Sequence, residues 1–556
     1  MPSASGTHPG GWTAPRPTLA VTIVTALIVV FTAAFLDPGP GRPSEAETFA
    51  RTEATPVVVA SSPEHPPSLS PPPPRPHVPP EPAEASAAVP LSGRERALLE
   101  SLDPDLFASL PPRAGAWEEG ERPPCFADDA SASRRCLPDY HVVGAWQSGG
   151  QAFNAKLGAH PDVREGAAPH FWNEPDKPTT RYLDLFAARA AEAEPEPEAE
   201  AEGKNKNVLR VGDASPGVLA NTWTESQRMH RSFAQTAAAC WQACQELSDA
   251  PIQGASRTPR RRCVDGDGDG GGGGCISRAA ARDAVVNGSV VAAVDRSPRS
   301  TPLSVPHLMR HAYGDKSVKI IALVRAPLAR LRAAFAHYAH YAKEFGEGED
   351  GFDAYVATFV DEFQRCEADF SAANEESRTF SARTECAFHF EALGPDREKV
   401  FYHCDQLIKT MYGTFARGWV EAFGAANVLF LRTEDAFSAN ATTRKRALRR
   451  ATTFLGLKVS ETDDVLLDAM DAIGTACDVT KENECVNAAA SNDATLATLD
   501  FGEGVAATRA ATRQRVDAFF EPETSILAEL FGDRDEASSW AAWGRGEATE
   551  LDRVRV

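Results

Sequence analysis

The residues with the greatest chemical potential gather in one turn, Gly144-Ala-Trp-Gln-Ser-Gly149-Gly150. A short apolar run, Tyr140 to Gly144, enters the turn, and a helix beginning near Gln151 leaves it with Phe153 and Leu157 on its inner face. Glycines allow the sharp bend. The N–H groups of the first helical turn and the positive end of the helix dipole then converge where a phosphate can sit. The amides of Ser148, Gly149, Gly150 and Gln151 are therefore candidate anion ligands, in the outline of a phosphate loop whose lysine is replaced by Gln147. Arg325 closes a second apolar run, Val318 to Val324, and a planar guanidinium there can grip a phosphate in bidentate fashion. Asp213 and His170 are the groups that could take a proton from a hydroxyl. Each also has an ordinary structural use: Asp213 as a turn residue accepting from Ser215 N–H, His170 as a hydrogen-bonding side chain.

The elements that must position these groups read as α/β. Four short apolar runs, Tyr140 to Gly144, Val208 to Val211, Val318 to Val324 and Val428 to Leu431, have the character of buried strands. Between them lie amphipathic helices. One carries Leu328, Leu331, Phe335, Tyr338 and Ala342, and another Ile408, Met411, Phe415, Trp419 and Phe423 before a stop at Gly424. Strands alternating with helices imply a P-loop-like parallel sheet covered by helices on both faces. There is no internal repeat.

The chain has 556 residues, 42% of them hydrophobic, enough for a large buried core. Its formal charge of −21 argues against nucleic acid as a partner, because phosphate neutralisation needs a basic field. Part of the acidity is the run Glu192 to Glu202, a solvated insert. A second insert, Asp265 to Gly274, begins like a calcium loop but has Ile276 where the bidentate Glu belongs, so no metal is expected.

Residues 18–36 are uncharged over 19 positions, roughly 28 Å as a helix, which matches the hydrocarbon thickness of a bilayer. Arg16 precedes this span and Asp37, Glu45 and Glu47 follow it, so the positive-inside rule places the N-terminus in the cytosol. The expected layout is a cytosolic tail (1–17), a transmembrane signal anchor (18–36), a disordered Pro-rich stem (37–115), a luminal domain (116–520, with low-complexity inserts near 190–206 and 257–275) and a C-terminal segment (521–556). Eleven cysteines suit an oxidising lumen. Cys125/Cys136, Cys263/Cys275, Cys366/Cys386 and Cys477/Cys485 lie close in sequence, but the pairing is not deducible, and Cys240 and Cys244 are as compatible with burial as with bonding. Asn287-Gly-Ser289 and Asn440-Ala-Thr442 are glycosylation sequons.

The stretch CLPDYHVVGAWQSGGQAFNAKLGAHPDV, Cys136 to Val163, resembles the 5′-phosphosulfate-binding segment of the carbohydrate sulfotransferases, which reads LPDF, a strand, GxxKxGTT, a helix and HPDV. Further blocks follow in that family's order. Pro169-His-Phe-Trp172 resembles the end of KEPHFF, and Gly212-Asp-Ala-Ser-Pro216 resembles GDGSP. Val318 to Phe335 resembles the 3′-phosphate strand and helix, and NVLFLRTEDAF onward to Leu457 resembles the closing strand and helix. The wording is nearest the N-acetylgalactosamine 4-sulfate 6-O-sulfotransferase branch. The resemblance implies a Golgi membrane protein of type II that moves a sulfuryl group from 3′-phosphoadenosine 5′-phosphosulfate to a glycan hydroxyl without a metal. It gives Arg325 the donor's 3′-phosphate.

The departures from the family fall on its chemistry. The loop lysine is Gln147, the two threonines are Gly150 and Gln151, the Lys-Glu before Pro169 is Ala167-Ala168, and the 3′-phosphate serine falls at Ala333. Two readings stand: an active sulfotransferase acting on a glycosaminoglycan-like or sulfated polysaccharide, and a sulfotransferase-like protein that binds nucleotide or glycan with little or no turnover. Arg444, Lys445, Arg446, Arg449 and Arg450 lie along one helix and form either a solvated face or an attractor for an acidic glycan. Oligomeric state is not legible.

Overall fold

The computed structural model describes residues 87–532 apart from several stretches, the longest 192–208, 283–298, 390–405 and 474–506, together with Trp540 and Trp543. The expected anchor at 18–36, most of the stem, both inserts over most of their length and the Cys477/Cys485 pair lie outside the described residues. No helix among the described residues is long and apolar enough to cross a membrane.

After a first helix, α1 (Gly93–Leu102), the hairpin β1 (Cys125–Asp128) and β2 (Ser133–Cys136) is closed by a disulfide between the directly opposed Cys125 and Cys136. The main sheet then follows. Its elements are β3 (Tyr140–Gly144), α2 (Gly150–Gly158), β4 (Val163–Ala167), α3 (Thr179–Ala191), β5 (Arg210–Asp213), α4 (Val305–Tyr313), β6 (Lys319–Val324), α5 (Pro327–His337), α6 (Gly348–Ala372), α7 (Tyr412–Phe423), β7 (Val428–Arg432), α8 (Ala441–Leu455), α9 (Asp464–Ala472) and α10 (Ala510–Phe531). The five strands are parallel in the order β4-β5-β3-β6-β7. The α/β expectation holds, and strands lie at or near the four expected places, the one expected at Val208 to Val211 being found at Arg210–Asp213. β4, Val-Arg-Glu-Gly-Ala, has too little apolar character to be legible and lies at the sheet edge.

Alternation along β6 shows why both faces are covered. Ile320, Ala322 and Val324 pack with Trp419 and Val420 of α7, whereas Ile321 and Leu323 pack with Leu448 and Leu455 of α8. Two expected helices are shorter than their apolar spacing suggests. The series through Leu328 and Ala342 breaks at Tyr338, whose backbone is extended, and the next short helix carries Tyr341 into a ring cluster with Phe335 and Tyr355. The series from Ile408 is interrupted: residues 406–408 are helical, a turn follows, and α7 starts afresh at Tyr412, where Glu523 of α10 takes the Thr414 N–H at 2.7 Å and caps it.

The expected boundaries shift for the same reason. Leu99 and Leu106 are fully buried, so residues assigned to the stem join the core from α1 onward. The boundary at 520 falls inside α10, whose Phe519, Phe520, Glu523 and Leu527 are buried.

Strand order fixes where a ligand can enter. The chain leaves β3 toward β4 on one side of the sheet, and the connection from β5 passes β3 to reach β6 on the other. The segments after the neighbouring strands β3 and β6 therefore diverge, opening a crevice at the carboxyl edge. The glycine turn and Arg325 both lie there.

Candidate functional site

The turn after β3 is held tightly. A Cβ on Gly144 would meet Leu219 Cβ at 2.2 Å, so only glycine permits this approach, and Ala145 N–H donates to Leu323 O of β6. Ser148 N–H donates to Ala145 O at 3.2 Å within the turn, which removes that amide from the expected anion ligands. Gly149, at φ 78°, is the N-cap of α2 and offers no side-chain cap to the helix's first turn. The Ser148 side chain is fully buried, and its Oγ has no hydrogen-bond partner among the described residues. The same is true of Nε2 and Oε1 of Gln147.

Two non-glycine residues have left-handed backbone among the described residues, Gln147 at φ 59° and His170 at φ 53°. Both were singled out from sequence, and such strain concentrates at ligand sites. They flank one aromatic contact: the Trp146 indole stacks on the His170 imidazole, with centroids 5.9 Å apart and planes 13° from parallel. His170 N–H donates to Ser215 Oγ at 3.0 Å, which anchors the histidine next to the end of β5.

Asp213 does not have the exposure a base requires. It is fully buried, its Oδ1 accepts from Ser215 Oγ at 2.6 Å and its Oδ2 from Tyr182 OH at 2.8 Å, while Tyr182 in turn accepts from Trp172 Nε1 at 3.1 Å. Burial pushes its carboxyl up to about 6 against these bonds, and burial alone holds neighbouring His141 down to about 3, so that His141 is neutral. Asp213 thus positions Ser215 and, through it, the backbone of His170. The expectation of Asp213 as a proton acceptor gives way to this role, because both carboxylate oxygens are engaged away from solvent.

Arg325 follows β6 directly and is buried, with Tyr412 OH donating to its carbonyl at 2.9 Å. Glu434 accepts from Ala326 N–H at 2.8 Å and from Trp543 Nε1 at 2.8 Å. Burial pushes Glu434 up, opposed by those two hydrogen bonds and by the Arg325 charge. Arg325 therefore lies at the same sheet edge as the loop, held beside a buried carboxyl that the sequence did not flag.

Sequence reasoning missed the residue that ties the loop to the rest of the domain. Arg330 of α5 is fully buried; its Nε donates to Trp146 O at 3.1 Å, its Nη1 to Gln406 O and Thr410 Oγ1, both at 2.8 Å, and its Nη2 to Gln406 Oε1 at 3.0 Å. One signal was available: Arg330 shares the three- and four-residue stripe of buried Pro327 and Ala334, though small neighbours make that stripe faint. Thr433, which donates to Ser148 O at 2.8 Å, was missed as well.

The basic helix turns out to be paired. Arg444, Lys445 and Arg449 of α8 bridge to Asp471, Asp468 and Asp464 of α9, so the face considered for an acidic glycan is largely neutralised within the domain. The close Cys240, Cys244 and Cys275 sulfurs belong to disulfides, Cys240–Cys275 and Cys244–Cys263, and are not thiolate ligands. Cys366–Cys386 forms a further bridge. A pocket of about 290 Å³ lined by Arg310, Lys316, Val318 and Asn427 lies at the amino ends of β6 and β7, the edge opposite the glycine turn.

No protein-family model matches the chain, and no curated protein matches it. Among solved structures it is similar to a sulfotransferase from Alicyclobacillus acidocaldarius, at 15% identity and a TM-score of 0.28, over 73% of this chain and 99% of that one.

Proposed function

We propose that this protein transfers a sulfuryl group from 3′-phosphoadenosine 5′-phosphosulfate to a hydroxyl of a glycosaminoglycan-like or sulfated glycan. One observation carries the reading. At the carboxyl end of the central strand, a glycine turn opens an uncapped helix, and beside it the polar atoms of Gln147 and Ser148 are buried without a protein partner among the described residues. A buried polar atom left unpaired costs about 1–3 kcal/mol, so three together are best accounted for by a ligand that bonds them.

In this reading the first-turn amides of α2, Ser148 Oγ and the Gln147 amide hold the 5′-phosphosulfate, and Arg325 holds the 3′-phosphate. The sugar oxygen attacks sulfur in line as the bond from sulfur to the phosphate oxygen breaks. The hydroxyl proton passes to an imidazole nitrogen of His170, which is half-buried beside the loop on Trp146. Charge developing on the departing phosphate is met by the loop donors. The wider proposal retains the Golgi membrane, an anchor at 18–36 and a luminal domain.

A second reading, nucleotide or glycan binding with little turnover, is favoured by the neutral side chain of Gln147 where a charge would serve the leaving group. Titration calorimetry of the full-length chain in detergent with 3′-phosphoadenosine 5′-phosphate, together with sulfate transfer to chondroitin sulfate, separates the two. Micromolar binding with transfer supports the enzyme, and binding without transfer supports the second reading. No binding in the millimolar range overturns both.

A further inference from the structure

We propose that Asn440 carries an N-linked glycan, attached at the start of α8 on the carboxyl side of the sheet. This rests on the luminal placement retained in the proposed function and adds to it a covalent modification at a named atom. The triplet Asn440-Ala-Thr442 satisfies the acceptor pattern, and its middle residue is not proline. Pattern alone decides little, since such triplets also occur by chance. Here the fold presents it: Ala441 and Thr442 are exposed and Asn440 is half-buried. Asn440 is the N-cap of α8, and its Oδ1 accepts from Thr442 N–H at 2.9 Å. That turn uses the carboxamide oxygen alone. Nδ2 makes no hydrogen bond among the described residues and, unlike the orphaned amide of Gln147, is not sealed from solvent.

One side chain can therefore serve both purposes. In the transfer, Nδ2 attacks the anomeric carbon of a polyprenyl-diphosphate-linked oligosaccharide, and the nitrogen–carbon bond forms as the bond from that carbon to the diphosphate oxygen breaks. The diphosphate leaves with the lipid, and one Nδ2 proton passes to a base of the transferring enzyme. The product keeps Oδ1 as an acceptor, so the cap on α8 survives the modification. The segment leading from β7 to Asn440 lies against the glycine turn: Thr433 Oγ1 donates to Ser148 O at 2.8 Å, and a Cβ on Gly149 would meet the Phe437 ring at 2.7 Å. Asn440 follows Phe437 by three residues, which places the sugar on the edge of the sheet where the crevice opens.

The test expresses the full-length chain, Asn440→Asp and Thr442→Ala in a eukaryotic secretory cell and follows gel mobility before and after peptide-N-glycosidase. Asn440→Asp keeps the capping oxygen and Thr442→Ala keeps the capped N–H, so each removes the acceptor while sparing the cap. Both variants are expected to run one glycan lighter than the natural chain and to coincide with it after the glycosidase. Peptide mass spectrometry of the natural chain, which does not depend on either variant folding, is expected to find the released peptide with aspartate in place of the asparagine at position 440. An unmodified Asn440 in a chain whose region after residue 37 is protected from protease in intact microsomes overturns the inference and leaves the luminal placement standing. Digestion of that region in intact microsomes refutes the luminal placement, and the inference falls with it.

Discussion

Replacing Arg330 by methionine removes the clamp between the glycine turn and the Gln406–Thr410 turn while keeping much of the side-chain volume. The effect can be worked from the bonds. Of the acceptors it loses, Gln406 O retains Thr410 Oγ1 at 2.8 Å, whereas Trp146 O and Gln406 Oε1 lose the donors that reach them at 3.1 and 3.0 Å. Trp146 O left unsatisfied at about 1–3 kcal/mol and two hydrogen bonds to Gln406 lost at about 0.5–1.5 kcal/mol each give about 2–6 kcal/mol, less what is regained by no longer burying a guanidinium. A net loss of about 2–4 kcal/mol should lower Tm by about 2–4 °C in a domain of this size, because the unfolding entropy grows with length at about 2.1 cal/mol/K per residue. Thermal unfolding followed by circular dichroism reads this directly, and nucleotide calorimetry at low temperature reads the loosened loop as weakened affinity. Arg330→Lys, which keeps the charge but not the fork, should fall between. A variant that melts within about 1 °C of the natural chain and binds nucleotide unchanged would refute the clamp.

Arg325→Ala should weaken nucleotide binding by about 2–4 kcal/mol in calorimetry, and unchanged affinity would remove Arg325 from the site. Asp213, raised to about 6 from an ordinary value of 3.8, opposes folding when ionised, so its penalty is present above about pH 6 and absent below about pH 4. The stability of Asp213→Asn relative to the natural chain should therefore rise by about 3 kcal/mol between pH 4 and pH 7 in urea titrations; a pH-independent difference counts against it. Comparing variants is needed because His141, held down to about 3, acts with the opposite sign: its stability is present above about pH 6.5 and lost as pH falls toward 3. Arg444→Ala should cost about 1–3 kcal/mol because it removes the donor to Oδ2 of the largely buried Asp471 and leaves that carboxylate paired with Lys156 through Oδ1, whereas Lys445→Ala, facing exposed Asp468, should be nearly silent in the same unfolding assay.

How much of the site was legible follows from which signals are local. The glycine turn, its entering strand and its leaving helix were readable because tight turns and apolar runs are written in neighbouring residues, and β3 begins and ends where its sequence pattern does. The strain at Gln147 and His170 was not readable, since a left-handed φ in a non-glycine residue is imposed by surroundings. Asp213 shows the complementary error. Its type allowed a base, and only the positions of Tyr182 and Ser215 revealed that both oxygens were committed.

The sequence by itself determined the α/β alternation, the strands of the sheet interior and the place of a phosphate-type loop, because periodicity and turn chemistry act over a few residues. Tertiary structure alone decided the disulfide partners of Cys240 and Cys244, the neutralisation of α8 by α9, and the meeting of Arg330 and Lys409 with Trp146. Each of those depends on two distant segments arriving at one point, and no local pattern encodes the distance between them.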